Sequence, residues 1–301
     1  MCGIVGLFLK NPALQPELGT HVETMLIGMS ERGPDSAGIA VYHSPVAGGR
    51  SKLTLFNADE AYPWRKLAGD VGAALNVETD VSQKGNHALL VAETSEAKVI
   101  DWLHANRSDV RIMGYGKLME VYKDMGLPGE VAKKYGLKEM VGTHAIGHTR
   151  MATESAVTTE HSHPFTPAPD MCLVHNGSLS NHNRLRMELR REGIEFQTDN
   201  DTEVAAGYLT WKLREGLSLE AALEGCLEDL DGFYTFAVGT ADGFAVLRDP
   251  IACKPAVMAE TDDWVAMASE YRAIAVLPGA ETATTWEPEP GHVYSWERAP
   301  V

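Results

Sequence analysis

MCGIVGLFL (residues 1–9) places a cysteine at the second position, ahead of an apolar run broken by Gly3 and Gly6. Gly3–Leu9 carries no polar side chain, so it reads as a strand buried on both faces. Outward from it, ELGTHVETMLIGMSERG (17–33) sets Val22, Met25, Leu26 and Met29 at helical spacing, and Gly33-Pro34 closes that segment. SAGIAVYH (36–43) is a second strand. The first 43 residues therefore read strand, helix, turn, strand.

The 301 residues are 44% apolar, enough to bury a substantial core. A formal charge of -16 argues against nucleic acid and anionic membrane surfaces as partners. No apolar run approaches a bilayer span, and no basic segment followed by an apolar one opens the chain, so the cytoplasm is the expected location. Cys2, Cys172, Cys226 and Cys253 are widely scattered. The last three read as small core residues, and no disulfide framework is expected.

Residues from about 44 to 140 contain little chemistry. VIDWLHANRS (99–108) and YGKLMEVYKDMG (115–126) are helical candidates, and HALLVAETS (87–95) is a strand candidate. VGTHAIGHTRMAT (141–153) returns to strand character. MCLVHNGSLSNHNRLRMELRREG (171–193) reads strand, Asn-Gly turn, helix. DNDTEVAAGYLTWKLREG (199–216) is a helix starting at Asp201 or Thr202. FYTFAVGTADGFAVLRDP (233–250) is a hairpin turning at Asp242-Gly243, and WVAMASE (264–270) and HVYSWE (292–297) are late strands. Strands in runs, interrupted by two long helical stretches, point to two antiparallel sheets packed together with helices outside.

Cys2 is the first residue with chemical interest. Were Met1 removed, Cys2 would carry a thiol and an α-amine on one Cα, and such an amine titrates near about 7.7–8.0. It could act as general base for its own side chain. The bland alternative is a small residue in a terminal strand. RGPDSAG (32–38) sets a cation and a carboxylate around a turn. GHTRMAT (147–153) puts Arg150 and Thr153 at a strand end, where a guanidinium can hold a carboxylate with two parallel bonds. In HNGSLSN (175–181), Asn176 and Gly177 could form an oxyanion hole or an ordinary type I′ turn. Asp201 could bind a ligand or serve only as a helix cap.

CGIVG, RGPDSAG, GHTRMAT, HNGSLSN and TDNDTE, in this order, resemble the class II glutamine amidotransferases, whose glutaminase domain is an N-terminal-nucleophile hydrolase. The resemblance covers about residues 1–43 and 141–275, with RDPIACKP and ASEYRA similar to the family's closing strands. It implies an α+β fold, a four-layer αββα sandwich, here as a single domain over 1–301 with a long insertion at about 44–140. It implies Cys2 as nucleophile, Asn176 and Gly177 as oxyanion hole, Arg150 and Thr153 in the loop that binds the glutamine carboxylate, and Asp201 as partner of the substrate ammonium. Arg32 is expected to shape the site. Met151 and Glu154 depart from the tryptophan and histidine of many relatives. His161 and His163 suggest no metal site, since no third ligand accompanies them.

No ammonia-consuming synthase domain and no Gly-rich phosphate loop follow, so a partner protein is expected to use the ammonia. Length, insertion and QTDNDTEVAAGYL most resemble the stand-alone glutaminase-like subunits of glutamate-synthase-type complexes. The resemblance is strongest to the glutaminase-like component of N-methylglutamate synthase (methylamine–glutamate N-methyltransferase). It implies glutamine or glutamate as ligand. It also implies two partners, an FMN-binding glutamate-synthase-like subunit together with a β-helix glutamate-synthase-like subunit. FMN and an iron–sulfur cluster would sit in those subunits, and no cofactor in this chain. A catalytically idle subunit that binds glutamate or glutamine is the alternative.

Overall fold

A computed structural model describes residues 2–151 and 157–298. The chain enters through β1 (Gly3–Leu9), α1 (Leu18–Ile27) and β2 (Ser36–Tyr42). A detour follows through β3 (Ser51–Phe56), α2 (Trp64–Leu75), β4 (Thr79–Lys84), β5 (His87–Ala92), α3 (Glu96–Asn106) and β6 (Arg111–Gly116). It rejoins at β7 (Met119–Met125), α4 (Pro128–Tyr135) and β8 (His144–Arg150). Then come β9 (Phe165–Ala168), β10 (Met171–Leu179), α5 (His182–Arg191), α6 (Asp201–Arg214) and α7 (Leu219–Asp229). The hairpin β11 (Gly232–Gly239) and β12 (Gly243–Arg248) leads to β13 (Val257–Glu260), β14 (Trp264–Ala268), α8 (Tyr271–Ile274), β15 (Thr284–Trp286) and β16 (Val293–Glu297).

Seven strands form one sheet, in the order β15-β13-β14-β1-β8-β2-β7, and five form a second, β16-β12-β11-β10-β9. Neighbouring strands run antiparallel throughout. The period-2 geometry of β1 explains the layering. Val5, Leu7 and Leu9 pack outward with Leu18, Val22 and Met25 of α1 and Val131 and Tyr135 of α4. Ile4 and Phe8 pack inward with Val174, Ala237 and Val246 of the second sheet. On that sheet's far face, Leu173, Tyr234 and Phe236 pack with Leu185, Leu189, Val204, Leu209 and Leu223 of the helical layer. Helix, sheet, sheet, helix is thus the order of layers, and β1 is apolar throughout because both its faces are covered.

Residues 51–116 build a third sheet, β4-β5-β3-β6, around its own core of Leu53, Leu55, Trp64, Leu67, Val71, Leu90, Val99 and Leu103. The sequence reading did not resolve this sheet. It lies against the outer edge of β7, where Thr54 Oγ1 accepts from Val121 N at 3.2 Å and Lys52 Nζ lies 3.2 Å from Glu120 Oε1.

Two local expectations are corrected. YGKLMEVYKDMG is not a helix. Its core is β7, paired with β2 over seven residues. Met119 and Val121 face the space between the sheets while Tyr122 faces the outer layer, so a period-2 pattern underlay spacing that also matched a helical face. Nor is Asn176-Gly177 a turn. β10 runs straight through it, with Asn176 opposite Thr235 and Gly177 opposite Tyr234. A type I′ turn needs positive φ at both residues, and of the two only Gly177 has it. Among the cysteines, Cys172 and Cys226 are buried as expected, whereas Cys253 is exposed.

Lys123 on β7 is 3% exposed and donates to the carbonyls of Ser162 (2.8 Å), Pro164 (3.2 Å) and Glu160 (3.4 Å). Its neighbour Asp124 accepts from Thr159 Oγ1 at 2.8 Å. Together they tie the segment after β8 to the main sheet. Lys123→Met keeps the stem and removes the donors, leaving buried carbonyls unpaired at about 1–3 kcal/mol in total. Urea unfolding is expected to show that loss, and limited proteolysis faster cleavage near 157–164. Unchanged stability would mean these bonds contribute nothing net.

Candidate functional site

Cys2 lies one residue before β1, and its carbonyl accepts from Arg32 Nε at 3.0 Å. Arg32 Nη1 in turn donates to Glu270 Oε1 at 2.7 Å. This arginine therefore locks the backbone at the chain's entry to the sheet and holds the Glu270 carboxyl below its usual range. The turn after it reaches β8. A Cβ on Gly33 would stand 2.3 Å from the Thr149 carbonyl carbon and 2.4 Å from Arg150 N, so only glycine admits that approach. Asp35 N donates to Arg150 O at 3.1 Å. RGPDSAG is thus the clamp on the end of β8.

Cys2, Arg150, Gly177 and Asp201 line one pocket of about 390 Å³, together with Met151, His163, His175, Ser178, His182, Asp199, Asn200, Thr202 and Lys254. A wider cleft of about 640 Å³ lies between Arg111 of β6 and Thr210 of α6, but Cys2 and Arg150 do not line it. The chemistry-bearing residues, rather than volume, mark the smaller pocket as the candidate site. Thr153 lies outside the described residues.

Asn176 precedes Gly177 in β10 but is not among the residues lining this pocket; it is 3% exposed, and among the described residues its Nδ2 has no hydrogen-bond partner. Gly177 has φ 154°, and a Cβ there would meet Phe233 O at 2.0 Å. Glycine is required by β11 at its side. Asp201 opens α6, but the cap is Asn200, whose side chain accepts from Thr202 N at 2.9 Å. Asp201 Oδ2 instead accepts from Leu179 N at 2.9 Å, tying α6 to the end of β10. The positive end of the helix favours a carboxylate there.

The loop before α6 is heavily held. Glu203 accepts from Gln197 N, Thr198 N and Thr198 Oγ1. Arg186 donates to Thr198 O and Asn200 O. His161 and His163 diverge. His161 bonds Asp199 at 2.8 Å and holds that carboxyl below its usual range. His163 stacks on His148 with ring centroids 4.0 Å apart. Among the described residues no group of three or more His, Cys, Asp or Glu is placed to hold a metal ion.

Sequence reasoning missed His175, Thr202 and Lys254 in the pocket wall. The only available signal for His175 was its place one residue before Asn-Gly, two residues from Gly177 and so on the same strand face. Burial pushes the Cys172 thiol up to about 11 and that of Cys226 higher still, which keeps both protonated.

Comparison with known proteins bears on the family and the fold. A family model described as a glutamine amidotransferase domain matches residues 148–276. The chain is 56% identical over 298 residues to "Glutamine amidotransferase-like protein GlxB" of Rhizobium meliloti, covering 99% of this chain and 98% of that one. It is 34% identical over 179 residues to the amidophosphoribosyltransferase of Archaeoglobus fulgidus, covering 58% of this chain and 39% of that one. In structure it resembles the glutamine phosphoribosylpyrophosphate amidotransferase of B. subtilis, with TM-score 0.64 and 22% identity over 98% of this chain and 47% of that one. That likeness shows the fold, the sandwich of N-terminal-nucleophile amidotransferase domains.

The buried histidines give a measurable consequence. Desolvation lowers His87, His144 and His148 to about 3 from the ordinary 6.5. Between those values the unfolded chain binds more protons than the folded one, so stability is full above about pH 6.5 and falls with decreasing pH. At pH 5 each ring is expected to remove about 2 kcal/mol. Urea midpoints that stay constant from pH 7.5 to pH 5 would contradict neutral burial of these rings.

Proposed function

The chain belongs to the class II glutamine amidotransferase family, and from that premise we propose that it hydrolyses the side-chain amide of glutamine through a thioester at Cys2. One observation carries the reading. Cys2, a guanidinium, a helix-terminal carboxylate and a positive-φ glycine share one pocket, and the amide beside that glycine has an unpartnered Nδ2.

In this reading, removal of Met1 frees the Cys2 amine, which takes the thiol proton as Sγ bonds the amide carbon. Asn176 Nδ2 and Gly177 N–H steady the oxyanion. The carbon–nitrogen bond then breaks, the proton leaves with ammonia, and water resolves the γ-glutamyl thioester to glutamate and the free thiol. Arg150 holds the α-carboxylate with its planar fork, and Asp201 Oδ1 pairs with the α-ammonium.

In this proposal the chain is the glutaminase subunit of a glutamate-synthase-like complex with an FMN-binding subunit plus a β-helix subunit, to which its ammonia passes, and that complex makes N-methylglutamate from methylamine and glutamate, an exchange in which ammonia is itself a product. FMN and any iron–sulfur cluster belong to those subunits. What supports it is the set of motifs and their order. Co-purification from the native host, with activity compared with and without partners, tests it. A chain that migrates alone and turns over glutamine at full speed would overturn the complex.

For the pocket itself, intact mass reports Met1 removal and glutamate release reports turnover. Cys2→Ala is expected to abolish release while leaving the melting transition in place. Release at the wild-type rate would refute the nucleophile. An inactive wild-type chain that lacks Met1 and still binds glutamine would instead support the idle binding subunit. Arg150→Lys and Asp201→Asn are expected to raise the glutamine KM roughly ten- to a hundredfold, the loss of one hydrogen bond to a charged group. An unchanged KM in both would place the substrate elsewhere.

A further inference from the structure

At the end of β1 nearest the pocket, the sheet runs out on one side. β1 pairs with β8 from Gly3 onward, but with β14 only from Val5, which stands opposite Ala268. Beyond Ala268 the chain turns away, through Ser269 and Glu270, into α8. Backbone groups left without a neighbouring strand need other partners, and Cys2 sits one residue before β1. Side chains take over where β14 leaves off. Ser269 N still donates to Ile4 O at 3.0 Å, but Ile4 N donates to the Ser269 hydroxyl oxygen at 2.9 Å. One step further out, Cys2 O accepts from Arg32 Nε at 3.0 Å, and Arg32 Nη1 donates to Glu270 Oε1 at 2.7 Å.

Glu270 is itself held. Its other oxygen, Oε2, lies 2.7 Å from Arg272 Nε, and Arg272 Nη1 donates to Glu31 Oε2 at 2.9 Å. Both carboxylate oxygens are thereby occupied, which fixes the side chain's orientation. Arg32 is 9% exposed, so little water answers its charge, and Glu270 supplies the counter-charge. Without that carboxylate the guanidinium gains by swinging toward solvent, and its bond to Cys2 O goes with it. The neighbouring clamp on β8 is made by backbone, through Gly33 and Asp35 N, and does not use the Arg32 side chain. Neither Arg32 nor Glu270 lines the pocket that Cys2, Arg150 and Asp201 share. Their connection to that pocket is the Cys2 carbonyl.

We propose that Glu270 is a positioning residue for the Cys2 nucleophile: through Arg32 it fixes the plane of the Cys2–Gly3 peptide, and so the direction from which Sγ meets the amide carbon. This rests on the pocket being the glutamine site and on Cys2 being its nucleophile. A nucleophile must stand close to its target carbon and in line with it, and a misplacement of about 1 Å costs up to about a hundredfold in rate. Binding of the amino-acid end by Arg150 and Asp201 does not pass through Cys2. The role therefore belongs to kcat rather than to KM.

The test uses the full chain with Cys2 intact and Met1 removal confirmed by intact mass, and follows glutamate release from L-glutamine. Glu270→Ala is expected to lower kcat about tenfold while KM stays within about twofold. Arg32→Lys, whose ammonium lacks the fork that reaches both Cys2 O and Glu270, is expected to do the same. The double variant is expected to lose no more than Arg32→Lys alone, since the two side chains act as one unit. Glu270→Gln has one acceptor oxygen for two arginines, so it shows the same signature more weakly and stands in should Glu270→Ala not fold. Buried Cys172 and Cys226 that stay unreactive toward iodoacetamide report an intact core. An unchanged kcat in the folded variants, a KM that rises as far as kcat falls, or losses that multiply in the double variant would overturn the role and leave Cys2 as the nucleophile. A native chain that lacks Met1 and releases no glutamate would overturn the glutaminase reading, and this role with it.

Discussion

The register of β1 on β8 is the constraint on which the rest depends. Gly3 pairs with Thr149, which brings Cys2 level with Arg150 at the strand's end. From the other side, Ser36 of β2 pairs with Arg150. A one-residue slip would turn Ile4 and Phe8 toward the helices and Val5, Leu7 and Leu9 toward the second sheet. Both cores are packed for the observed order, with Ile4, Leu7 and Val5 at most 1% exposed, so a slip would leave voids in one and clashes in the other. Core packing thus holds the register, and the register sets the thiol beside the guanidinium.

Much of this was legible in the sequence because the informative residues are local. The apolar run of β1, the helical spacing of α1 and the Asp-Gly turn between β11 and β12 each follow from a short window. The chain positions of Cys2, Arg150, Gly177 and Asp201 could be singled out, but not that they share one pocket. Two places misled. Asn-Gly has strong turn chemistry, yet pairing with β11, which runs on through Leu179, outweighed it. In YGKLMEVYKDMG the pairing with β2 chose between two periods that the sequence satisfied equally. The histidine stack was invisible because it unites residues 148, 163, 175 and 202, whose contacts arise only when the two sheets and α6 meet.

His175 in the pocket wall and Asn176 next to it in β10 each carry a buried polar atom without a partner among the described residues, while the loop before α6 is heavily bonded. An unmet buried polar group of this kind costs on the order of 1–3 kcal/mol. Around these two residues, Arg186, Glu203, Asn200 and Lys123 satisfy the backbone of two loops that would otherwise be free to relax onto those atoms. Rigid loops keep those atoms from finding local partners. That is the structural form of preorganisation: the loop network spends its bonds on itself and holds the pocket wall in one arrangement.

The third sheet shows how such a site tolerates a large excursion of chain. The backbone of the segment leading into β7 needs acceptors at its outer edge. Asp170 accepts from Lys117, Leu118 and Met119, and Thr54 accepts from Val121. Residues 51–116 therefore cover an edge of the main sheet and approach β9 of the second, closing the side of the sandwich. Helix α6 is fixed to the second sheet. Across the wider cleft its Thr210 is bonded to Pro167 O at 2.6 Å, and its first turn is fixed to Leu179 of β10. The excursion thus acts on sheet edges, while Asp201, His148 and His175 are carried by α6, β8 and β10 of the sandwich.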